Sequence, residues 1–326
     1  MSTPENTLAI LGCGKMGIAI LNGLLTTQPT TNTDTTTNKN NTPLPTHFIA
    51  TVRSPTSQKN LSTQFRSHLS TNNLTIYPST SNHEAITSAN TIILACDPVD
   101  IPSLLTDPST KAALCNLSPG SSSKLLISIA AGWTVSSLRA LLSNPSSPDT
   151  NTLYIVRALP NICATISQSI TAIELPPTGG GEESHSVPES LISLTEGIFN
   201  KIGRTVKVRP DQMDTFTVLG GSTPAFVAVF VEALVDGGVA MGLGREEARL
   251  TVAQVLRGTG DLLLAGEHPA LLKDRGTSPG GCTMGGLCVL EEGGFRGVVA
   301  RAVREGVCVA EGMGRGVGLV NGTGRK

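Results

Sequence analysis

The sequence predicts two parts: an α/β N-terminal domain with a parallel sheet over residues 1–208, and an all-α C-terminal domain over residues 209–326. Three observations support this division. The chain of 326 residues has room for two domains of roughly 150 residues each. Short apolar runs alternate with polar or helical stretches in the first part but not in the second. Only six of the 35 glycines lie in residues 1–150, so the two parts are built differently.

The strands of the N-terminal domain are predicted from short apolar runs bounded by polar or turn residues, a pattern typical of strands buried on both faces. Ile18–Leu25, which follows the first run, has the composition of a helix. Strands that alternate with helices predict a parallel sheet with right-handed crossovers. The predicted strands are Leu8–Leu11, Phe48–Val52, Leu74–Tyr77, Thr91–Cys96, Leu125–Ile129, Leu153–Ala158 and Thr205–Val208.

Four segments interrupt this pattern and are predicted to be low-complexity insertions, near residues 26–47, 107–123, 143–152 and 175–188. The first is mostly Thr and Asn, the next two are rich in Ser and Pro, and the last contains three consecutive glycines. Such compositions bury little apolar surface, so we expect surface loops that lengthen the chain without adding a domain.

The C-terminal part is predicted to be helical throughout. The stretch Gln212–Leu243 is apolar and contains no residues that would separate strands. Arg245–Leu264 places apolar residues at alternating spacings of four and three, which is one face of a helix, and Phe295–Met313 carries a similar stripe. The sequence therefore predicts at least three helices after the sheet.

Composition excludes several classes of partner. A net charge of −1 and an aromatic content of 3% argue against a nucleic-acid binder. Apolar runs stay well short of the ~18 residues of a membrane span, so no membrane contact is expected. The first residues have no signal-peptide pattern, and the seven cysteines form no Cys-x-x-Cys pair. We therefore expect a cytoplasmic protein with reduced thiols and without a metal site.

A glycine-rich loop follows the first predicted strand directly. Gly12-Cys13-Gly14-Lys15-Met16-Gly17 is a G-x-G-x-x-G sequence between a strand and a helix. In a Rossmann-like domain Gly12 allows the tight turn, Gly14 lets the backbone approach a pyrophosphate, and Gly17 lets the helix pack against the strand. The loop predicts a dinucleotide site that includes Lys15 and Met16. The alternative is a structural glycine-rich turn without a ligand.

The end of the second strand bears on the choice of dinucleotide. An acidic residue there would favour NAD, whereas this strand ends in Arg53 and Ser54, which suit a 2′-phosphate. We therefore predict that NADPH is preferred and that NADH is possible; the alternative is a solvated surface arginine. The strand Thr91–Cys96 leads into Asp97 and Pro98, where a nicotinamide ribose would lie, with Asp97 expected to point outward.

A second cluster of turn and hydroxyl residues lies in the C-terminal part. Ser278-Pro279-Gly280-Gly281 is a turn before a predicted helix Thr283–Glu291, and a helix N-terminus suits a carboxylate. The alternative is a purely structural turn. The sequence offers no evident catalytic triad, metal cluster or paired carboxylates. Hydride transfer to an already protonated imine needs none of these, because the substrate arrives activated.

Together these motifs make the chain resemble the pyrroline-5-carboxylate reductase family, which reduces Δ1-pyrroline-5-carboxylate to L-proline, the last step of proline biosynthesis, with NAD(P)H. The resemblance covers most of the chain outside the insertions. It is carried by the nucleotide loop, by Ser128–Gly132, by Arg157–Asn161, by Gly221–Ala240 and most specifically by Lys273–Gly297. It implies an oxidoreductase that acts on a CH–NH bond, with C-terminal helices that intertwine into a homodimer and dimers that assemble further.

The resemblance also implies roles for individual residues. Ser278, Gly281 and Thr283 would hold the substrate carboxylate, and the catalytic Thr283 hydroxyl would also bond the ring nitrogen. The cofactor-binding residues it adds to the loop and to Arg53 and Ser54 are Asn82, Ala95, Pro98 and Ala130. The sequence departs from the family pattern at Asp97, usually Lys, at Ile162-Cys163, usually Thr-Pro, at Gly276, usually Val, and at Arg275.

Two other functions stay open at this point. A dehydrogenase of the β-hydroxyacid type would carry a catalytic lysine on a central helix, but Gly220–Ala240 contains no lysine. A non-catalytic NADP-binding regulatory paralogue would keep the glycine loop and lose turnover, and Asp97 and the insertions are compatible with it.

Overall fold

The structure is a computed structural model, and it describes residues 6–26, 43–115, 123–143, 153–175 and 187–314. The chain divides into two compact units, with the division between Gly221 and Ser222. The first contains the sheet and its helices, and the second contains long helices. The remainder of the four predicted insertions, at residues 27–42, 116–122, 144–152 and 176–186, lies outside the described residues.

The first unit is built on one sheet of eight strands in the order β3-β2-β1-β4-β5-β6-β7-β8. Strands β1 to β6 are parallel, β7 pairs antiparallel with β6, and β8 pairs parallel with β7. The parallel sheet is thus confirmed for its first six strands and reverses in its last two. The strands are β1 Thr7–Leu11, β2 His47–Val52, β3 Leu74–Pro78, β4 Thr91–Leu94, β5 Lys124–Ser128, β6 Leu153–Leu159, β7 Ser169–Glu174 and β8 Gly203–Val208.

Helices cover both faces of this sheet. Strand β1 shows why, since Leu8 and Ile10 point into one core and Ala9 and Leu11 into the other. Helices α1, α2 and α8 close the first core, and α4, α5, α6 and α7 close the second. The helices of this unit are α1 Lys15–Thr26, α2 Pro55–Gln64, α3 Arg66–Ser70, α4 Asn82–Thr87, α5 Ile101–Thr106, α6 Pro108–Cys115, α7 Val135–Leu142, α8 Glu189–Phe199 and α9 Met213–Phe216.

The structure corrects two sequence-based expectations about this unit. The segment near 107–123 is not a loop in its first half, because Asp107 caps α6 by accepting a hydrogen bond from the Thr110 N–H at 2.9 Å and Leu114 is buried. Strand β7 was not predicted at all, because its buried residues include Ser169 and Thr171 and so form no apolar run. The buried Ser169 hydroxyl has a hydrogen-bond partner, since it accepts from the Asn161 N–H at 3.0 Å.

The chain leaves β8 through a series of short helices that stay with the sheet. A 3-10 turn, Pro210–Gln212, leads into α9 and then into a π-helix, Thr217–Ser222. Met213 is buried against Leu159 and Ala172, so this segment packs with the sheet although it follows the boundary predicted near residue 209. The buried Asn161, just after β6, donates from Nδ2 to the Gly220 carbonyl at 2.7 Å.

The second unit contains α10 Thr223–Ala240, α11 Arg245–Leu264, α12 Pro269–Arg275, α13 Cys282–Glu292 and, up to Val309, most of α14 Phe295–Gly314. Small residues bring α10 and α11 together, and the rings of Phe230 and Phe295 lie 5.6 Å apart. Yet α10 and α11 bury one residue each, Val235 and Ala248, and α13 buries none. Large apolar side chains such as Val229 and Leu250 are about 70% exposed (69% and 70%).

One helical stretch in the described residues, Pro210–Ala240, is long and apolar enough to cross a membrane by length and composition alone, with a mean hydropathy of 1.8. The sequence expectation of no membrane span considered uninterrupted apolar runs, whereas this measure averages over the helix. Only 17% of the apolar window is buried within the chain. Most of this apolar window is therefore exposed in one copy of the chain.

Candidate functional site

The first glycine of the loop holds three strands together at their carboxyl ends. Gly12 has a φ of +79°, a conformation that side chains with a Cβ rarely adopt. A Cβ on Gly12 would lie 2.6 Å from the Cα of Cys96, just beyond β4. Its N–H donates to the Thr51 hydroxyl of β2 at 3.2 Å. The tight turn predicted for Gly12 is therefore present, and it needs glycine for both conformation and space.

The other loop residues occupy the predicted places around the start of α1. A Cβ on Gly17 would lie 3.1 Å from Ile10 Cγ2, so this glycine lets the helix approach the strand. Gly14 is exposed, with no atom closer than 4.0 Å to such a Cβ, which leaves its backbone open to a ligand. Lys15 and Met16 begin α1; Lys15 is exposed, and Met16 packs against the core.

A cavity of about 700 Å³ opens above these strand ends. It is lined by several of the predicted cofactor residues, namely Gly12, Gly14, Arg53, Asn82 and Ala95. Lys15, Met16, Gly17, Ser54, Pro98 and Ala130 are not among its lining residues in the described chain. The size suits a small-molecule or cofactor site, and the strand ends of an α/β sheet are where such ligands bind.

Asn82 supplies an unpaired polar atom next to this cavity. It is the first residue of α4, and its Oδ1 is buried without a hydrogen-bond partner in the described structure. A buried polar atom left unpaired costs about 1–3 kcal/mol, so its retention points to a ligand donor. The residues present thus fit a nucleotide with hydroxyl groups.

Arg53 and Ser54 already have partners within the chain. Arg53 Nη1 lies 2.7 Å from Asp100 Oδ2, and its side chain is 74% exposed. The Ser54 hydroxyl caps α2 by accepting from the Ser57 N–H at 3.1 Å. Arg53 lines the cavity as expected, but its guanidinium pairs with the Asp100 carboxylate, which no sequence pattern had indicated.

The segment after β4 contains the remaining predicted cofactor residues. Strand β4 ends at Leu94, so Ala95 leaves the sheet and lines the cavity. The Pro98 carbonyl accepts from Trp133 Nε1 at 3.0 Å, and Ala130 is buried. Asp97 is exposed and also borders the cavity; its Oδ1 accepts from the Val99 N–H at 3.1 Å, which starts the following 3-10 turn.

The cysteines near the loop are not reactive thiolates. Burial raises the pKa of Cys13 to about 12, and burial with the nearby Asp100 raises the pKa of Cys96 to about 11. Both thiols are therefore protonated at neutral pH and act as small apolar side chains. The described residues also contain no group of three His, Cys, Asp or Glu side chains that could hold a metal ion.

The proposed substrate turn is formed in the second unit. Gly280 has a φ of +69°, and the Gly281 N–H donates to the Ser278 carbonyl at 3.0 Å, which closes the turn. Gly281 then caps α13, which begins at Cys282, one residue before the predicted start. The first N–H groups of a helix have no partner within it. Ser278 and Thr283 are exposed beside this helix end, so the turn can receive an anion.

A doubly covered sheet, a glycine loop and a cavity at the strand ends define an NAD(P)-dependent oxidoreductase with a separate helical unit. Residues 210–313 match the family described as pyrroline-5-carboxylate reductase dimerisation, and residues 7–132 match NADP oxidoreductase coenzyme F420-dependent. A pyrroline-5-carboxylate reductase of Neurospora crassa is 43% identical, covering 99% of this chain and 97% of the relative. The chain belongs to the pyrroline-5-carboxylate reductase family.

Other comparisons agree with this membership. A pyrroline-5-carboxylate reductase of Lophium arboricola is 41% identical over 98% of this chain and 97% of the relative. Among solved structures, the Plasmodium falciparum pyrroline carboxylate reductase with NADP bound has a TM-score of 0.70 and 26% identity, covering 95% of this chain and 98% of that one. The Streptococcus pyogenes enzyme has a TM-score of 0.68 and 27% identity, covering 93% and 97%. The family resemblance and the fold class inferred from sequence are thus confirmed.

Proposed function

We propose that this protein reduces 1-pyrroline-5-carboxylate to L-proline with a nicotinamide cofactor, preferably NADPH. The observation that carries the proposal is the near full-length similarity to a reductase of this name, in a chain where both the nucleotide loop and the Ser278–Gly281 turn are formed. The two alternatives each lack one element. A β-hydroxyacid dehydrogenase would need a catalytic lysine, which α10 lacks. A non-catalytic NADP-binding regulator would have no need of the Ser278–Gly281 turn.

The reaction places modest demands on the protein. The substrate is a cyclic imine with a carboxylate, and its protonated C=N carbon accepts a hydride while the nitrogen keeps the proton. Bound nicotinamide supplies that hydride. The helix N-terminus at Gly281 and the Ser278 hydroxyl would hold the carboxylate, and the Thr283 hydroxyl would hydrogen-bond the ring nitrogen. The protein contributes orientation rather than a strong acid or base.

The first unit supplies the cofactor site. Gly14 would let the backbone approach the pyrophosphate, and the start of α1 would face it with free N–H groups. The orphaned Oδ1 of Asn82 would accept from a hydroxyl of the nucleotide. Arg53 would meet the adenosine ribose at the end of β2, where a 2′-phosphate distinguishes NADPH from NADH.

Turnover is tested by mixing purified protein, NADPH and pyrroline-5-carboxylate and following the loss of nicotinamide absorbance. We expect turnover, with proline as the product. Binding of NADPH without turnover would instead support the regulatory paralogue. Oxidation of a β-hydroxyacid, with no imine reduction, would support the other dehydrogenase class.

The cofactor preference is tested by Arg53→Asp. Replacing the guanidinium by a carboxylate should raise the apparent KM for NADPH by at least ten-fold while changing that for NADH much less, because only NADPH carries the 2′-phosphate. Equal effects on the two cofactors would refute the role of Arg53.

We propose that the protein is a homodimer. The dimerisation region is present, and its helices leave residues such as Val229, Leu250 and Val289 at least 66% exposed in one copy. Large apolar side chains exposed on several helices of one unit are the pattern expected of an interface. Sedimentation should give twice the chain mass, and Leu250→Glu should lower it. A wild-type protein that sediments as a monomer at micromolar concentration would contradict the proposal.

We further propose that the protein acts in the cytoplasm. Cys13, Cys96, Cys163, Cys282, Cys288 and Cys308 are free thiols, as is usual in a reducing compartment. Fractionation of cells that express the full chain should recover it with cytosolic markers. Recovery in carbonate-washed membranes or in an oxidising compartment would contradict this location and the expected absence of a membrane span.

A further inference from the structure

The carboxylate that faces Arg53 comes from a different part of the chain. Asp100 ends the 3-10 turn Pro98–Asp100, after β4, whereas Arg53 follows β2. Arg53 Nη1 and Asp100 Oδ2 lie 2.7 Å apart, and both residues line the cavity. Asp97 and Asp107 line the same cavity. The arginine that should meet a 2′-phosphate therefore already has one carboxylate at hydrogen-bond distance, in a cavity lined by two more.

We infer that Asp100 is a specificity-determining residue for the nicotinamide cofactor: its carboxylate competes with the 2′-phosphate of NADPH for Arg53. The inference rests on the proposed function. NADH and NADPH differ only at the ribose 2′ position, by a hydroxyl in place of a phosphate. The phosphate must either share the Arg53 guanidinium with the Asp100 carboxylate or displace that carboxylate from it. A ribose hydroxyl faces no such competition and can donate to that carboxylate, as acidic residues do in NAD-selective sites.

The local structure allows Asp100 to serve this purpose alone. Its side chain makes no cap hydrogen bond to α5, which it precedes, and its backbone N–H is bonded to the Asp97 carbonyl at 2.9 Å. Its carboxylate is 39% exposed, so it lies in contact with solvent. The neighbouring Asp97 and Asp107 differ in this respect, because each caps a helical turn. Asp100 can therefore lose its charge without loss of a cap.

The expected effect follows from the charges. A carboxylate about 6 Å from a phosphate dianion in water-like surroundings opposes its binding by about ten-fold. Removing that charge with the isosteric Asp100→Asn should tighten NADPH binding by about this factor. NADH binding should stay within about two-fold or weaken, because it carries no phosphate at this position.

The experiment measures Kd for NADPH and for NADH by nicotinamide fluorescence, without substrate, in wild type and Asp100→Asn. The ratio of the NADH Kd to the NADPH Kd should rise about ten-fold at low salt and less near 1 M salt, where charges are screened beyond about 3 Å. Asp211→Asn is the matched control, since Asp211 is an exposed carboxylate paired with Arg209 at 3.0 Å and lies outside the cavity lining. It should leave the ratio unchanged.

The same substitution in a variant that lacks Arg53 separates competition for the guanidinium from direct repulsion between Asp100 and the phosphate. In Arg53→Gln protein the direct repulsion between the Asp100 carboxylate and the phosphate persists, so Asp100→Asn should still raise the ratio. The rise should be smaller than in wild type, because no guanidinium remains to be released. A ratio that stays constant or falls on Asp100→Asn would overturn the inference, since it would mean that Asp100 is neutral or positions Arg53 for the phosphate. The proposed function would survive that result if imine reduction persists, and it fails separately if neither nicotinamide binds.

Discussion

Replacing Gly12 by alanine is the sharpest test of how the loop is built. The new Cβ would lie 2.6 Å from Cys96 Cα and 2.8 Å from Cys96 N, both in the segment after β4. Ordinary contact begins near 3.4 Å, so the loop and that segment would have to separate by roughly 0.8 Å. The positive φ of +79° adds a backbone cost of about 1–2 kcal/mol. Forced overpacking adds about 1–3 kcal/mol, so we expect about 2–5 kcal/mol of destabilisation.

The assay combines denaturant unfolding with NADPH binding by fluorescence titration. Gly12→Ala should lower both the unfolding midpoint and the affinity, because the displaced segments line the cavity. Gly14→Ala is the matched comparison, since its Cβ would meet no atom closer than 4.0 Å. It should keep the unfolding midpoint nearly unchanged and lose affinity alone, through contact with the pyrophosphate.

The reasoning about Gly12 would be refuted if Gly12→Ala unfolded at the wild-type midpoint and bound NADPH normally. The close approach to Cys96 would then be relieved at no cost. If Gly14→Ala bound NADPH as tightly as wild type, the phosphate would lie elsewhere in the cavity, and the assignment of Gly14 would be wrong.

Three further predictions concern the substrate turn and two buried charges. Thr283→Ala should lower kcat/KM at least ten-fold with NADPH affinity intact, whereas Thr283→Ser should recover most activity; equal losses would remove the hydroxyl from the mechanism. Lys124 Nζ donates to the Ala89 carbonyl at 2.9 Å, and burial lowers its pKa to about 8. An unfolded lysine keeps its proton up to pH ~10.5, whereas folded Lys124 loses it near pH 8. Between pH 8 and 10 the free energy of unfolding of wild type, measured by denaturant titration, should therefore rise by about 1–2 kcal/mol relative to that of Lys124→Met. The same pH dependence in both proteins would contradict this. Glu174→Gln should cost about 3–5 kcal/mol, because it leaves Arg157, now 2.6 Å from Glu174, buried without a counter-charge; a loss below about 1 kcal/mol would contradict it.

The local features of the nucleotide site could be predicted from sequence because they depend on neighbouring residues. The turn at Gly12 and the packing at Gly17 follow from a strand, a glycine pattern and a helix within about ten positions. The same holds for the turn at Gly280, where the glycine conformation and the start of α13 are consecutive. Short patterns of this kind determine the local backbone conformation, because all the residues involved are close in sequence.

Features that depend on distant residues were missed for the same reason. The pair Arg53–Asp100 joins segments that only the fold brings together, so the sequence showed a free arginine. Strand β7 was missed because two of its buried residues, Ser169 and Thr171, carry hydroxyl groups. The Ser169 hydroxyl accepts from the Asn161 N–H, which lies outside the strand. Helix α6 was not predicted because the surrounding sequence is rich in Ser and Pro. Its start, Asp107-Pro108, is nevertheless a typical N-cap followed by proline in the first turn, a signal that predicts a helix.

The reversal of the last two strands sets a length requirement on the chain. Because β7 and β8 run against β1–β6, Val208 lies at the edge of the sheet opposite the glycine loop, whereas Asn161 holds Gly220 at the loop edge. Six residues of strand span about 20 Å, and residues 209–220, if fully helical, rise roughly 18 Å. The length of the segment therefore matches the distance between the two edges of the sheet. Adding or removing a single residue within it would offset Gly220 from Asn161, whereas many substitutions there would leave the span intact.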